Sequence, residues 1–193
     1  EGGISRYTVD DAWIIHNLKK MLYDNTQFIL LLAKYCKINN EKYFKDKLKQ
    51  TIDFLRFEFL NKDKLLGSAY DADSEGEEGK YYVFKYEEIK NIDKINEYFE
   101  VSTSGNWENK NILVEKNKPP KMIIDKLLEI RKKRKKPFFD DKSQLDLNCL
   151  WVSSLIAAHE ILPEKKYLNL AENFFSIIEE KYIKKNIQHS YSK

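Results

Sequence analysis

Apolar positions recur at helical spacing through most of the chain. Trp13, Leu18, Met21, Leu22, Phe28, Ile29, Leu32 and Ala33 fall roughly along one face, predicting a long first helix. Its start is expected near Thr8, three residues before Asp11, where a hydroxyl and a carboxylate can satisfy free N–H groups. Ile38-Asn39-Asn40 breaks it. A second helix is predicted from about Glu41 to Leu60, with Tyr43, Phe44, Leu48, Ile52, Leu55 and Phe59 on one stripe. Short helices are expected within 86–99, and another over about 121–134 after a loop through Pro119-Pro120. A last pair covers about 144–161 and 164–184, divided at Leu162-Pro163 because proline cannot continue a helix interior.

Residues 61–84 differ in kind. Gly67, Gly76 and Gly79 punctuate them, and the β-prone runs Ser68-Ala69-Tyr70 and Tyr81-Tyr82-Val83-Phe84 flank an acidic stretch. The expectation is a β-hairpin insertion over about 66–84, carrying a long acidic loop, within an otherwise all-α chain.

The two ends of the chain echo each other. Leu32-Ala33-Lys34-Tyr35, with Ile38 through Lys42-Tyr43-Phe44, is similar to Ile156-Ala157-Ala158-His159, with Leu162 through Lys166-Tyr167-Leu168. Each unit reads as a helix, a tight turn and a second helix opening with Lys-Tyr. This register sets Asp24 opposite Asn148, near the start of the first helix of each hairpin. Stacked helical hairpins present side chains to a shared cavity from such positions.

Composition narrows the class. Hydrophobic residues make up 42% of the 193 and charged residues 34%, as in an ordinary globular chain with enough length for a core. The formal net charge of +3 lacks the basic field of a dedicated nucleic-acid binder. No apolar run approaches the roughly 18 residues a membrane span requires. Cys36 and Cys149 form no CxxC pair, so no zinc knuckle or redox pair is expected; both are read as buried thiols of a reducing, cytoplasmic setting. No metal and no cofactor is implied. The chain opens on Glu1-Gly2-Gly3 without a methionine and is expected to be an internal fragment.

Five carboxylates crowd into nine residues at Asp71-Ala-Asp73-Ser-Glu75-Gly76-Glu77-Glu78-Gly79. A calcium loop of EF-hand type would need acids at positions 1, 3 and 5, Gly at 6 and Glu at 12. Counted from Asp71, position 12 is Tyr82 and the flanks are β-prone, which argues against it. Two readings remain: a substrate-facing loop whose carboxylates accept hydroxyl hydrogens or act as acid and base, and a solvated acidic turn. In either case mutual repulsion should raise the pKa of at least one carboxylate. The basic run Arg131-Lys-Lys-Arg134-Lys-Lys136 reads as a solvated last helical turn favoured by the macrodipole, or as a contact for an acidic partner.

Several motifs stand in a defined order. They are Gly2-Gly3-x-x-Arg6-Tyr7-x-x-Asp10 with Trp13, Lys20-Met21-Leu22-Tyr23-Asp24-Asn25, Ala69 through Gly79 to Val83, and Gly105-Asn106-Trp107 with Lys110-Asn111-Ile112-Leu113. Arg131, Arg134 and Pro137 follow, then Asp140-Asp141-Lys142 with Asn148 and Leu150. Nearly end to end, this series resembles the YyaL/spermatogenesis-associated protein 20 family, also called thioredoxin-domain-containing proteins.

The resemblance implies a single incomplete (α/α)6-barrel domain over residues 1–193, of the six-hairpin glycosidase type and similar to N-acylglucosamine 2-epimerases. It implies carbohydrate binding or processing, with a sugar or other small polar ligand as partner. It also implies a preceding thioredoxin-like domain and further barrel hairpins, neither contained in these residues. The site it implies comprises Arg6, Tyr7, Trp13, Tyr23, Asp24, Asp71, Asn106, Asp141 and Asn148 for substrate, with Asp73 and Glu75 as the acid/base candidates. The pattern also departs from the family. Ser5 and Asn17 stand where histidines are usual, and Lys19 stands where a glutamate is usual. Leu145-Asp146-Leu147-Asn148-Cys149 replaces Thr-x-Trp-Asn-Gly. Neither Ser nor Asn titrates near neutrality, so a non-catalytic scaffold or interaction domain is the alternative reading.

Overall fold

A computed structural model describes residues 2–184, 187 and 189–191. The chain divides into two compact units. The first comprises 1–4, 20–70 and 139–193, and the second comprises 5–19 and 71–138.

The first unit is built from two helical hairpins, α1 (Leu22–Ile38) with α2 (Lys42–Glu58), and α6 (Leu145–Ile161) with α7 (Lys165–Ile178). A π-helical turn, Glu179–Ile183, extends α7. α1 packs against both α2 and α6, and α6 packs against α7. α1 and α6 carry apolar residues around much of their circumference, as suits helices with neighbours on several sides, whereas α2 and α7 are amphipathic. Each first helix stops where the sequence predicts. Asn39 turns extended and donates its N–H to the Tyr35 carbonyl; Leu162, held extended by Pro163, donates to Ala158. The core joins Leu22, Ile29, Leu48, Leu55 and Phe59 to Trp151, Leu155, Ile178 and Tyr182, all fully or almost fully buried. Each such side chain contributes about 1.5–3 kcal/mol by leaving water.

The first helix begins at Leu22, not near Asp11. The Asp10 carboxylate accepts the backbone N–H groups of Ile14 and Ile15, the latter at 2.6 Å, and Trp13 adopts a left-handed φ of 58°. Both features break a helix and close a loop instead, so Tyr7–Thr8 and His16–Asn17 pair as antiparallel strands.

The expected hairpin arms also part company. Ala69–Tyr70 forms the centre of a three-stranded sheet between Lys20–Met21 and Phe139–Asp140. Tyr70 stacks on Phe139 with centroids 4.6 Å apart. Gly67 permits this approach: a Cβ there would lie 2.5 Å from the Phe139 ring. The fold is therefore helical with short sheets, not purely all-α.

In the second unit, α3 (Tyr86–Ile89), α4 (Ile95–Tyr98) and α5 (Lys121–Lys132) enclose a core of Phe84, Ile89, Ile95, Phe99, Ile123 and Leu127. Strands Phe99–Glu100 and Val114–Glu115 pair beside it. A smaller cluster of Leu18, Ala72 and Val83 packs with Trp107. Cys36 is buried, but Cys149 is exposed, contrary to expectation. Among the described residues no helix is long and apolar enough to cross a membrane.

Candidate functional site

The acidic stretch folds on itself. Asp73–Ser74 and Glu77–Glu78 are antiparallel strands joined by a two-residue turn at Glu75-Gly76, whose φ values of 56° and 77° are the paired left-handed values of a type I′ hairpin. The hairpin is thus much shorter than expected and lies wholly inside the acidic run. It is anchored where it meets the unit. Ser74 is buried and its hydroxyl donates to the Lys135 carbonyl at 2.6 Å, while the Gly79 N–H donates to the Ala72 carbonyl at 3.1 Å. Gly79 has φ +70° and lies against the Trp107 ring, where a Cβ would fall 2.6 Å away.

Electrostatics separate the five carboxylates. The hydrogen-bonded Lys80 ammonium, 2.9 Å from Glu75, holds the Glu75 carboxyl below the usual carboxylate range. Lys110 does the same for Glu77. For these two the expected rise is reversed, because a neighbouring cation outweighs the like charges. Asp73 and Glu78 stand directly opposite each other across the hairpin, both exposed and neither in an ion pair or side-chain hydrogen bond among the described residues. Like charges directly opposite destabilise a strand pair. Such a local violation on an otherwise well-anchored hairpin marks a functional candidate. No group of three or more His, Cys, Asp or Glu among the described residues could hold a metal ion.

The basic run behaves differently from the solvated turn its sequence suggests. Arg134 donates to the carbonyls of Lys80, Tyr81 and Val83 and pairs with Glu88 at 2.9 Å. Arg131 donates to the Tyr82 carbonyl and lies 5.6–5.9 Å from the rings of Phe84, Tyr81 and Tyr82. Both arginines brace the segment that leaves the acidic hairpin, and only the lysines between and after them face solvent.

The other predicted site residues are distributed between the units. Arg6, Tyr7 and Trp13 belong to the second unit, on the small hairpin; Tyr7 and Trp13 are exposed, and the Arg6 guanidinium sits 5.8 Å from the Tyr7 ring. Asp71, Asp73 and Glu75 lie together on the acidic segment of the same unit. Tyr23 and Asp24 occupy the first turn of α1 in the first unit, as Asn148 does in α6, and Asp141 is exposed just after the three-stranded sheet. Trp107 is half-buried beside Gly79.

The two predicted asparagines do a specific job. The Asn148 carboxamide is buried, accepts the Leu66 N–H at 2.9 Å and donates to the carbonyls of Leu66 and Gln144 at 3.0 Å. Asn106 pinches both backbone groups of Ile112 in the same way. These amides hold backbone. Asn25 and Asn111, which the sequence reading passed over as ligands, make the same kind of clamp on Ile4 and Ser102. The partner of Asn148 in the internal repeat is therefore Asn25, one residue beyond the Asp24 that the sequence match selects.

No protein-family model matches the chain. It is 27% identical to an uncharacterised protein of Caenorhabditis elegans over 88% of its length, and 22% identical to human spermatogenesis-associated protein 20 over 89%. The chain is thus similar to spermatogenesis-associated protein 20 along most of its length. It spans less than a third of these relatives, 30% and 28% of their lengths. Among solved structures it superposes on a glycoside hydrolase family 76 mannosidase of Bacteroides thetaiotaomicron with a TM-score of 0.50, 12% identity, and coverage of 93% of this chain and 32% of that one. At this identity the likeness is one of fold: the helical hairpins are arranged as in an α/α-barrel glycosidase.

Proposed function

We propose that the chain is part of a carbohydrate-binding protein in which the hairpin Asp73–Glu78 accepts hydroxyl hydrogens from a sugar. The carrying observation is the exposed cross-strand pair Asp73 and Glu78, two ionisable acceptors fixed opposite each other with no cation between them. Ionised carboxylates only accept hydrogen bonds, and a polyhydroxylated ring supplies several donors at once. Kinship in fold with a mannosidase supports the ligand class. Within this reading Glu75, kept ionised by Lys80, acts as an acceptor or base rather than as a proton donor. Asp73 is then the carboxylate available for acid/base work in hydrolysis or epimerisation.

The second reading is a binding or scaffold role without turnover. It is favoured by Ser5 and Asn17, which cannot titrate near neutrality, and by the engagement of Asn106 and Asn148 with backbone. One titration tests both. Mannose and other neutral monosaccharides are added to the chain and followed by calorimetry, with product formation assayed in parallel. Saturable binding that weakens at least tenfold in Asp73→Asn, with an unchanged or higher melting temperature, is the expected result. Removing one of two like charges cannot lower stability through repulsion, so a loss of affinity would report on the ligand. Absence of binding in the wild type, or equal binding by the variant, would overturn the proposal. Binding without product would select the scaffold reading.

A further inference from the structure

The second unit holds an open cleft of about 370 Å³ beside the strand pair Phe99–Glu100 and Val114–Glu115, a volume within the range of small-molecule sites. Phe99 and Val101 give it apolar surface. Asn106 and Asn111 also border it, but their carboxamides are committed to the backbone of Ile112 and Ser102. The charged residues that border it are Glu100 and Lys116. These two are placed to pair. Glu100 stands opposite Val114, and the Lys116 N–H continues the ladder by donating to the Tyr98 carbonyl at 2.8 Å. Side chains two apart on a strand share a face, so Glu100 and Lys116 are diagonal neighbours on one face of the ribbon, within reach of long side chains. Yet no ion pair joins them among the described residues. The Lys116 ammonium turns to the Asn96 carbonyl at 3.2 Å, and the Glu100 carboxylate has no side-chain partner.

A free anion and a cation with spare donors therefore border one cleft without neutralising each other. An ammonium has three donors, and the Asn96 carbonyl takes one. We propose that the cleft binds a free α-amino acid with an apolar side chain. Its ammonium donates to the Glu100 carboxylate, its carboxylate accepts from the remaining Lys116 donors, and its side chain lies on Phe99 and Val101. A zwitterion of this size satisfies both charges at once through charge-assisted hydrogen bonds, which are stronger than neutral ones. A neutral sugar offers hydroxyls to either group but carries no charge to match them. The site is distinct from the acidic hairpin, and it stands or falls without the sugar-binding reading of that hairpin.

The test is a nuclear magnetic resonance titration of the full 193-residue chain, labelled with nitrogen-15, using four probes. L-leucine carries both charges, N-acetyl-L-leucine lacks the ammonium, L-leucinamide lacks the carboxylate, and mannose lacks both. L-leucine is expected to move the amide signals of Glu100, Val101 and Lys116 saturably, and each singly charged analogue to bind about fivefold more weakly, the scale of one exposed charge pair. Glu100→Gln should weaken leucine and leave N-acetyl-leucine unchanged; Lys116→Met should weaken leucine and leave leucinamide unchanged. Both side chains are exposed, circular dichroism confirms folding, and Lys116→Gln replaces Lys116→Met if that variant fails to fold. This crossed pattern separates direct contact from a general loosening of the strands, which would weaken all three leucine compounds together. Absence of saturable shifts with leucine would overturn the proposal. So would equal affinity for the three leucine compounds, leucine binding unaffected by either substitution, or mannose moving the same signals with equal affinity.

Discussion

Asn25 and Asn148 make the same three hydrogen bonds in different hairpins. Each donates to the carbonyl four residues earlier, Met21 or Gln144, at 2.8 or 3.0 Å. Each also takes both backbone groups of a residue outside its helix, Ile4 or Leu66, accepting its N–H and donating to its carbonyl. A carboxamide has the donor and acceptor arrangement of a peptide unit, so it can pair with a strand as another strand would. Both amides are fully buried, where an unsatisfied backbone group costs about 1–3 kcal/mol. Asn148→Ala leaves the Leu66 N–H and carbonyl without this partner and should destabilise the chain by about 3 kcal/mol on that basis. Asn148→Asp keeps the shape and the acceptor but turns an ionised, acceptor-only oxygen on the Leu66 and Gln144 carbonyls in a buried site. At neutral pH it should be at least as destabilising as alanine. Thermal melts of the three proteins decide it, and equal midpoints would remove the clamp from the account.

Arg134 makes a parallel argument in the second unit. Its guanidinium gathers three carbonyls from Lys80, Tyr81 and Val83 and sits 4.7 Å from the Phe84 ring. A lysine carries the charge but not the planar fork. Arg134→Lys should therefore lose most of what Arg134→Ala loses, about 2–3 kcal/mol by the usual value of charged hydrogen bonds. Hydrogen exchange at 80–84 is the direct readout, and both variants should accelerate it. A lysine variant with wild-type exchange would reduce the brace to simple charge.

Most of the helical framework was legible in the sequence. α2, α5, α6 and α7 lie close to their predicted spans because period-3.6 apolar stripes and the Pro163 stop are local signals. The start of α1 was not legible. Trp13 and Leu18 fit a helical stripe by spacing, but the Asp10 carboxylate captures the Ile14 and Ile15 N–H groups and turns the chain into a hairpin. Strand partners are not legible for a different reason. Tyr70 and Phe139 meet across a long stretch of sequence, and no periodicity reports which distant segment supplies the third strand. For the candidate site, acid density locates a short hairpin and says nothing of a ligand, and motif likeness does not tell a ligand-binding asparagine from a clamp. That distinction lies in the backbone each amide reaches.

The pH response follows from the same hairpin. Glu75 and Glu77 have folded pKa values below the ordinary glutamate value of about 4.3, chiefly through hydrogen bonds to Lys80 and Lys110. A depressed carboxylate stabilises the fold above its unfolded pKa and loses that contribution as pH falls through its folded pKa. The hairpin should therefore hold its geometry at neutral pH and loosen only below the ordinary glutamate range. Both groups are exposed, so the effect should be shallow and weaken with salt. Carbon-detected titration of the Glu75 carboxyl should give a midpoint below the ordinary value, and Lys80→Met should move it up. An unmoved midpoint would detach the shift from Lys80.

Gly79 and Gly76 separate backbone strain from steric exclusion within one hairpin. Both have left-handed φ, +70° and +77°, a conformation that costs an L-residue about 1–2 kcal/mol. At Gly76 a Cβ meets nothing within 4 Å, so Gly76→Ala should show that backbone cost alone. At Gly79 the Cβ would lie 2.6 Å from the Trp107 ring and 2.8 Å from Leu18, in the small core that seats the hairpin. Neither neighbour is the loose end of a flexible chain, so Gly79→Ala must displace the indole as well as strain the turn. It should cost about 1–3 kcal/mol more than Gly76→Ala, the usual penalty for overpacking. Trp107 should also move toward water, although Trp13 and Trp151 contribute to the same emission. The comparison is best made with Trp13→Phe as the background, where a red shift in Gly79→Ala and none in Gly76→Ala is expected. Equal melting temperatures and spectra for the two variants would mean that Trp107 does not seat the acidic hairpin.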